Sequence, residues 1–396
     1  MNGRLHYIDW LRVSAFGILI VYHCSVAFFP DFRWLMKSEE TSAALALTMD
    51  FPRAWRLALL FFVSGMGTWF AFRSTPDTAF LRERALRLGL PLIFAMCVIV
   101  APQVWYERMY EDGYQGSFFS FWVHRYFTEG KYPTGNFTWA HMWFVAYLLV
   151  MSALCYPVFR LLVHPRFRPV SAWFERVARS HAIYGLFLLP LLLNLALSPL
   201  FPRQTNALYN DGAWFAAWAC WFGLGFLVGR HHRAVIDAII DRRWLSAWFA
   251  AAFTILLYKY SWAEGEGHGM IGSWENMTAA YKTLVFALAW SMILTLVGFA
   301  ALHLNRSSAA LTWLNHKIFP LYIVHQTVII AALYHVLPLD AGVAEKLLLV
   351  LATTIAGSLA FCIVADQLPW PLRSLVGLTG RGPAVKGAET GAAGRA

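Results

Sequence analysis

The chain has 396 residues, of which 59% are hydrophobic and 14% charged, whereas soluble domains carry about a quarter charged residues. With a mean hydropathy of +0.51, this excludes a soluble globular enzyme and a disordered chain; apolar blocks long enough to span a bilayer recur throughout, which predicts one integral membrane domain. The net charge of +10 does not point to nucleic acid, because the basic residues form no stripe with interleaved aromatics and fall between the apolar blocks. Cys24, Cys97, Cys155, Cys220 and Cys362 stand singly in apolar segments, without the paired spacing of metal or redox sites, so no metal is expected. The N-terminus lacks a basic region, short apolar core and cleavage site, so the first block is expected to stay attached.

In chain order the hydropathy pattern predicts ten membrane helices, an all-α bundle, at approximately 8–29, 54–72, 88–105, 142–163, 182–201, 213–229, 245–262, 281–304, 318–337 and 345–365. The transmembrane domain is expected over 1–375, and 376–396, rich in Gly and Ala, as a disordered tail. With Arg12 set aside, one set of loops plus both termini holds about 20 Lys and Arg and the other about 11, which predicts cytoplasmic termini. Two long loops on the outer side, 30–52 and 106–140, are rich in aromatics. The run Phe118 to Phe127 either lies flat at the interface or roofs an outward-opening cavity. No internal repeat and no matched pair of broken helices marks an inverted-repeat carrier.

Polar groups inside apolar blocks are costly and face a partner or a wet cavity. Arg12 and His23 share the first block. Eleven residues advance a helix by about 1100°, three turns plus about 20°, and by about 16.5 Å, so both point into the same interior at different depths, too far apart to touch. Asp9, three residues before Arg12, either partly neutralises it or completes an anchor at the inner interface. No carboxylate of the first helix reaches His23, since Asp9 is about 21 Å below; any group that orients His23 belongs to another helix.

A histidine in an enclosed site suits acyl transfer, because it takes a proton from an alcohol near neutral pH and later returns one. The usual acyl donor, a coenzyme A thioester, needs cationic contacts for its phosphates. Arg84 and Arg87, on one face at the start of the third helix, together with Arg73, Arg82 and Arg12, can form such a cradle or serve only as topology charges. His141, Trp143 and Phe144 open the fourth helix. In the ninth, Tyr322 and His325 share a face, where hydroxyl and imidazole can meet, with Gln326 beside them; a packing hydrogen bond is the alternative. Ser64 and Gly65 are expected to permit close helix approach. Glu264, Glu266 and His268, and the adjacent His231 and His232, read as solvated, since none has metal-site spacing.

As a set these residues resemble the membrane-bound acyltransferase 3 family. The resemblance runs over nearly the whole chain: Asp9, Leu11 and Arg12, then ten residues to His23; Phe61, Phe62, Ser64 and Gly65; Arg84 and Arg87 followed by Pro91; His141, Trp143 and Phe144; Tyr322 with His325. The opening from Tyr7 to Arg12 is most similar to the glucan succinyltransferase branch. The resemblance implies ten helices, cytoplasmic termini and residence in a bacterial inner membrane. It also implies transfer of an acyl group, succinyl in that branch and acetyl elsewhere, from cytoplasmic acyl-CoA to a hydroxyl of an envelope glucan. By matched position, it makes His23 the catalytic histidine with Arg12 its partner in the motif, and assigns the donor to Arg84 and Arg87. Some relatives carry an extra soluble esterase-like domain; none is expected here, so direct transfer is the simpler scheme. His23 acts as general base or forms an acyl-histidine. The expected partners are membrane lipid, the glucan acceptor and other glucan-biosynthesis proteins. The competing readings are a carrier or flippase whose path Arg12 and His23 line, and a sensor or scaffold without turnover.

Overall fold

The computed structural model describes residues 4–32, 34–75, 77–265 and 268–378. Their regular structure is all helical, with one isolated bridge between Lys131 and Phe137 and no strand among them. We number the helices that position the site α1 (His6–Ser25), α2 (Ala43–Ser74), α3 (the span Ala79–Glu111), α4 (Trp143–Leu154), α5 (Tyr156–Val163), α6 (Arg168–Arg179), α7 (Leu188–Leu197), α8 (Gly212–Arg230), α9 (His232–Asp241), α10 (Arg243–Leu257), α11 (Ala279–His303), α12 (Ala309–Val336) and α13 (Val343–Gln367).

Seven of these, α1, α2, α3, α8, α11, α12 and α13, are long and apolar enough to cross a membrane. Two bent pairs raise the number to as many as nine: α4 with α5, broken by 46°, and Pro165–Arg179 with His181–Leu197, broken by 106°. The expected seventh helix, at 245–262, forms as α10 running into a π-helical turn, Tyr258–Trp262, and is not among those that qualify. Hydropathy counts apolar residues and is blind to a break in direction. The sharp break after α6 follows from that helix's own composition: it buries Ser171, Phe174 and Ala178, exposes Trp173 and carries Arg176 and Arg179 in its last turn. An amphipathic helix of this kind belongs at an interface, not across a bilayer.

Both described ends of the chain lie at one face of the bundle. The start of α12 meets the start of α1 through Arg12 and Asn315, and α13 returns to that face, where Asp366 pairs with Lys317 and sits 3.7 Å from Arg373. Chain packing continues to Leu378, because Val376 and Leu378 are buried against Phe94 and Phe361. The expected tail therefore begins later than residue 376; residues 379–396 lie outside the described residues, as does Glu266.

The tightest crossing is α2 on α8. A methyl group added at Gly65 would stand 1.9 Å from the carbonyl oxygen of Phe222, and one at Gly225 would stand 1.9 Å from that of Phe62. The two backbones touch through reciprocal glycines, the packing expected of Gly65. Above and below this contact the helices present an aromatic interior: Phe61 stacks on Trp218 and Phe62 meets Trp290 edge-on.

His231 and His232 are not solvated. Ser171 Oγ lies 2.7 Å from His231 Nε2, and Glu175 Oε2 lies 3.2 Å from its Nδ1, so His231 clamps α6 to the end of α8. His232 Nε2 lies 2.7 Å from the hydroxyl of Tyr7. Both histidines lie outside the membrane-crossing helices, and desolvation, the leading cause, holds both below the ordinary imidazole range. Protonation is thus disfavoured in the folded state. The stability linked to these groups is present above the unfolded value of about 6.5 and is lost as pH falls toward the lower folded value. Thermal unfolding in detergent is expected to shift to lower temperature below about pH 6.5, and His231→Gln to flatten that slope; an identical slope in the variant would remove His231 from the account.

Candidate active site

One continuous cavity of about 1860 Å³ lies among α1, α2, α3, α4, α8 and α12. Its wall runs from Arg4, Arg12, Arg84 and Arg87 at the face that holds the chain ends, past His23 and Arg56, to Arg53, Arg108, Glu107 and Trp274 at the other. Helix direction sets this order: α1 carries Arg12 before His23, and α2, running the opposite way, carries Arg56 before Thr68.

At the first end the cations converge. Arg12 donates to Asn315 Oδ1 at 3.3 Å and stands 3.9 Å from Asp9, while Asp9 takes its shorter bond, 2.7 Å, from Arg4. Arg84 Nη2 donates to Thr68 Oγ1 at 3.1 Å. Arg12, Arg84 and Arg87 are near enough to repel one another. Arg87 occupies a π-helical turn, Ala85–Gly89, and such turns recur at functional sites because they redirect one side chain within a helix. Arg73 and Arg82 are exposed and do not line the cavity, so the cationic end consists of Arg4, Arg12, Arg84 and Arg87.

The middle of the cavity is built around His23. Its Nδ1 lies 3.2 Å from His325 Nε2, with the two rings stacked at 5.3 Å. His325 Nδ1 lies 2.6 Å from the carbonyl oxygen of Tyr322. A carbonyl only accepts, so His325 carries its proton on Nδ1 and offers the Nε2 lone pair. His23 therefore donates from Nδ1, and its Nε2 lone pair is left free. The orienting group is on another helix, as the length of α1 requires, and it is an imidazole instead of a carboxylate.

His325 is fully buried and is fixed from behind. His141 packs edge-on against it at 5.1 Å and donates from Nε2 to the carbonyl of Ile323 at 3.0 Å. Gln103 Nε2 donates to Thr327 Oγ1 at 2.8 Å and reaches His141 Nδ1 at 3.4 Å; Gln326 donates to Gln103 Oε1 at 3.3 Å, and Thr327 to the carbonyl of Ile99 at 2.6 Å. Each buried polar group here has a partner, which is what a rigid network in apolar surroundings requires. The expected meeting of the Tyr322 hydroxyl with His325 does not occur. That hydroxyl donates to the carbonyl of His141, and Tyr322 holds His325 through its backbone instead.

Ser64 lines the cavity beside the glycine contact, and Trp143, Phe144, Trp214 and Trp218 give it an aromatic wall. The run Phe118 to Phe127 does not roof it: Phe121 and Tyr126 are buried against Tyr114 and Phe137, and Phe119 faces outward. The roof comes from Phe32, Trp34, Tyr132, Pro133 and Trp274. His268 takes its local partner from the carbonyl of Ala263, and no cluster of three or more His, Cys, Asp or Glu suited to a metal occurs among the described residues. Sequence reasoning passed over Arg56, Asn315, Thr68 and Gln103.

Comparison with known proteins agrees with this architecture. Residues 5–366 match the family described as Acyltransferase domain, of the acyltransferase 3 type. The chain is 24% identical over 340 residues to Glucans biosynthesis protein C of Escherichia coli O139:H28, covering 81% of each chain. It is 23% identical over 336 residues to the protein of that name from Escherichia coli (strain K12), again covering 81% of each. No solved structure matches. With its membrane-crossing helices and a family match over nearly its whole length, the chain belongs to the membrane-bound acyltransferase 3 family.

Proposed function

We propose that this membrane acyltransferase moves a succinyl or acetyl group from cytoplasmic acyl-CoA to a hydroxyl of an envelope glucan on the far side of the bacterial inner membrane. The observation that carries this reading is the continuous cavity, which joins an arginine-lined mouth to the free face of His23 and continues to a polar, aromatic mouth opposite. Arg12, Arg84 and Arg87 take the CoA phosphates, for which arginine is suited by its fork of donors. The pantetheine arm extends along the bundle, and the thioester stops beside His23. The glucan enters past Trp274 and Tyr132, whose rings suit stacking on sugars.

His23 Nε2 accepts the proton of the sugar hydroxyl as the oxygen bonds to the thioester carbon. The carbon–sulfur bond then breaks, and the proton passes from His23 to the departing CoA sulfur. The Nδ1–H···His325 hydrogen bond steadies the imidazolium formed between the two steps.

The test supplies labelled succinyl-CoA or acetyl-CoA to sealed membranes of either orientation with glucose oligosaccharides on the far side. Labelled sugar is expected only when donor and chain termini share a compartment, whereas a carrier moves its substrate unmodified. In the Arg84→Gln/Arg87→Gln double variant the KM for donor is expected to rise about 10- to 100-fold, two charge-assisted contacts having been lost. Unchanged donor affinity in a correctly inserted double variant would return both arginines to a topological role.

A further inference from the structure

Arg56 is a buried cation in the cavity for which the mechanism above has no use. It is 4% exposed, lines the cavity, and its Nε and Nη1 have no hydrogen-bond partner. No carboxylate lies within ion-pair distance of it among the described residues. Its neighbour Arg53 is supplied: Asp50 stands 3.8 Å away and the Trp274 ring 4.3 Å. Arg56 meets Tyr22, a neutral side chain, through the ring face 3.5 Å from its guanidinium carbon and through a side-chain hydrogen bond. A buried guanidinium with no counter-ion is costly, and one retained in a ligand cavity marks the place of an anion.

Which anion follows from depth. Tyr22 adjoins His23, so Arg56 stands at the level of the base and acts on it through space. The cationic mouth lies about 18 Å away along α2, at Thr68 and Arg84, the length of the twelve residues between Arg56 and Thr68. A CoA phosphate anchored at that mouth cannot also occupy Arg56. The part of the donor that lies beyond the thioester carbonyl, on the side away from CoA, is the acyl chain. An oxyanion on the carbonyl is present only for the lifetime of the tetrahedral species; a permanent, desolvated charge matches a permanent anion.

Resting on the acyl-transfer reading, we infer that Arg56 is the residue that selects the acyl group, binding a carboxylate at the far end of a short acyl chain. The substrate class is then a CoA thioester of a dicarboxylic acid. A monocarboxylic acyl group of the same length would place a methyl against the guanidinium and leave the charge uncompensated.

Succinyl-CoA and butyryl-CoA have four-carbon acyl groups and differ in this terminus. With membranes containing the full chain and glucose oligosaccharides as acceptor, the wild type is expected to favour succinyl over butyryl by about 10⁴-fold in kcat/KM, the discrimination typical when a buried polar group loses its partner. Arg56→Met is expected to lower succinyl transfer by about that factor and to raise butyryl transfer, reversing the preference, while Arg56→Lys retains part of it. A wild type that transfers both groups equally overturns the inference and leaves acyl transfer standing, as does an Arg56→Met variant that loses both in equal proportion. A wild type that transfers neither refutes the acyl-transfer reading, and the inference falls with it. Should Arg56→Met fail to insert, the preference of the wild type and of Arg56→Lys decides.

Discussion

Replacement of His23 by alanine is expected to slow acyl transfer about 1000-fold with little change in donor KM, since general-base assistance contributes about 10²–10⁴-fold and the donor's phosphates are held at the other end of the cavity. The more informative comparison is with His325. This residue touches neither substrate; it fixes the tautomer of His23 by accepting the Nδ1–H bond at 3.2 Å. His325→Phe removes the acceptor and leaves Nδ1 and Nε2 to share the proton, so a loss of about 10- to 100-fold is expected, with the activity profile displaced along pH. His325→Gln offers a side-chain carbonyl in place of the imidazole nitrogen and is expected to recover part of the rate. The ordering, His23→Ala below His325→Phe below His325→Gln, is read from initial rates of labelled glucan formation. Equal rates for wild type and His23→Ala would sink the base assignment; equal losses in both His325 variants, without displacement along pH, would leave His325 as packing alone.

How much of this was legible beforehand depended on whether a residue's chemistry contradicted its surroundings. Arg12 and His23 stand out because each interrupts an apolar block, and helical phase alone puts them on one interior. Arg56 lies in one too, yet the hydropathy pattern starts that block near residue 54, where a charge two residues in does not stand out from the block's end. The helix in fact starts at Ala43 and runs through Pro52, which places Arg56 more than three turns inside. Gln103 and Thr327 left no signal, because a polar residue within a helix looks the same whether it orients a histidine or bonds to its own backbone. Spacing did put Tyr322 and His325 on one face, but it could not tell that the tyrosine would hold the imidazole by its carbonyl. The bends at Cys155 and Ser180 were equally hidden, since hydropathy registers length without direction.

Substitution of Gly65 by alanine is expected to destabilise the protein by about 3 kcal/mol, the upper part of the usual overpacking range, because its new methyl would sit 1.9 Å from a backbone oxygen and not from a side chain that can swing away. The same holds for Gly225→Ala against Phe62. Relief requires α2 and α8 to separate, and one separation accommodates both methyls. The double variant is therefore expected to cost much less than the two singles together, a coupling that distinguishes one shared contact from two independent defects. The separation also reaches the chemistry. One wall of the cavity is α2, with Arg56, Ser64 and Thr68, and the adjoining wall is α8, with Trp214, Trp218 and Phe222. Moving these walls apart loosens the fit around the acyl chain without touching His23. In variants that remain folded, transfer is expected to fall while the preference between acyl groups weakens, since misplacement of a binding wall costs orientation before it costs the base. Unfolding in graded denaturant, paired with rates on two donors, reads both effects; simple additivity of Gly65→Ala and Gly225→Ala would show that the glycines do not share one crossing.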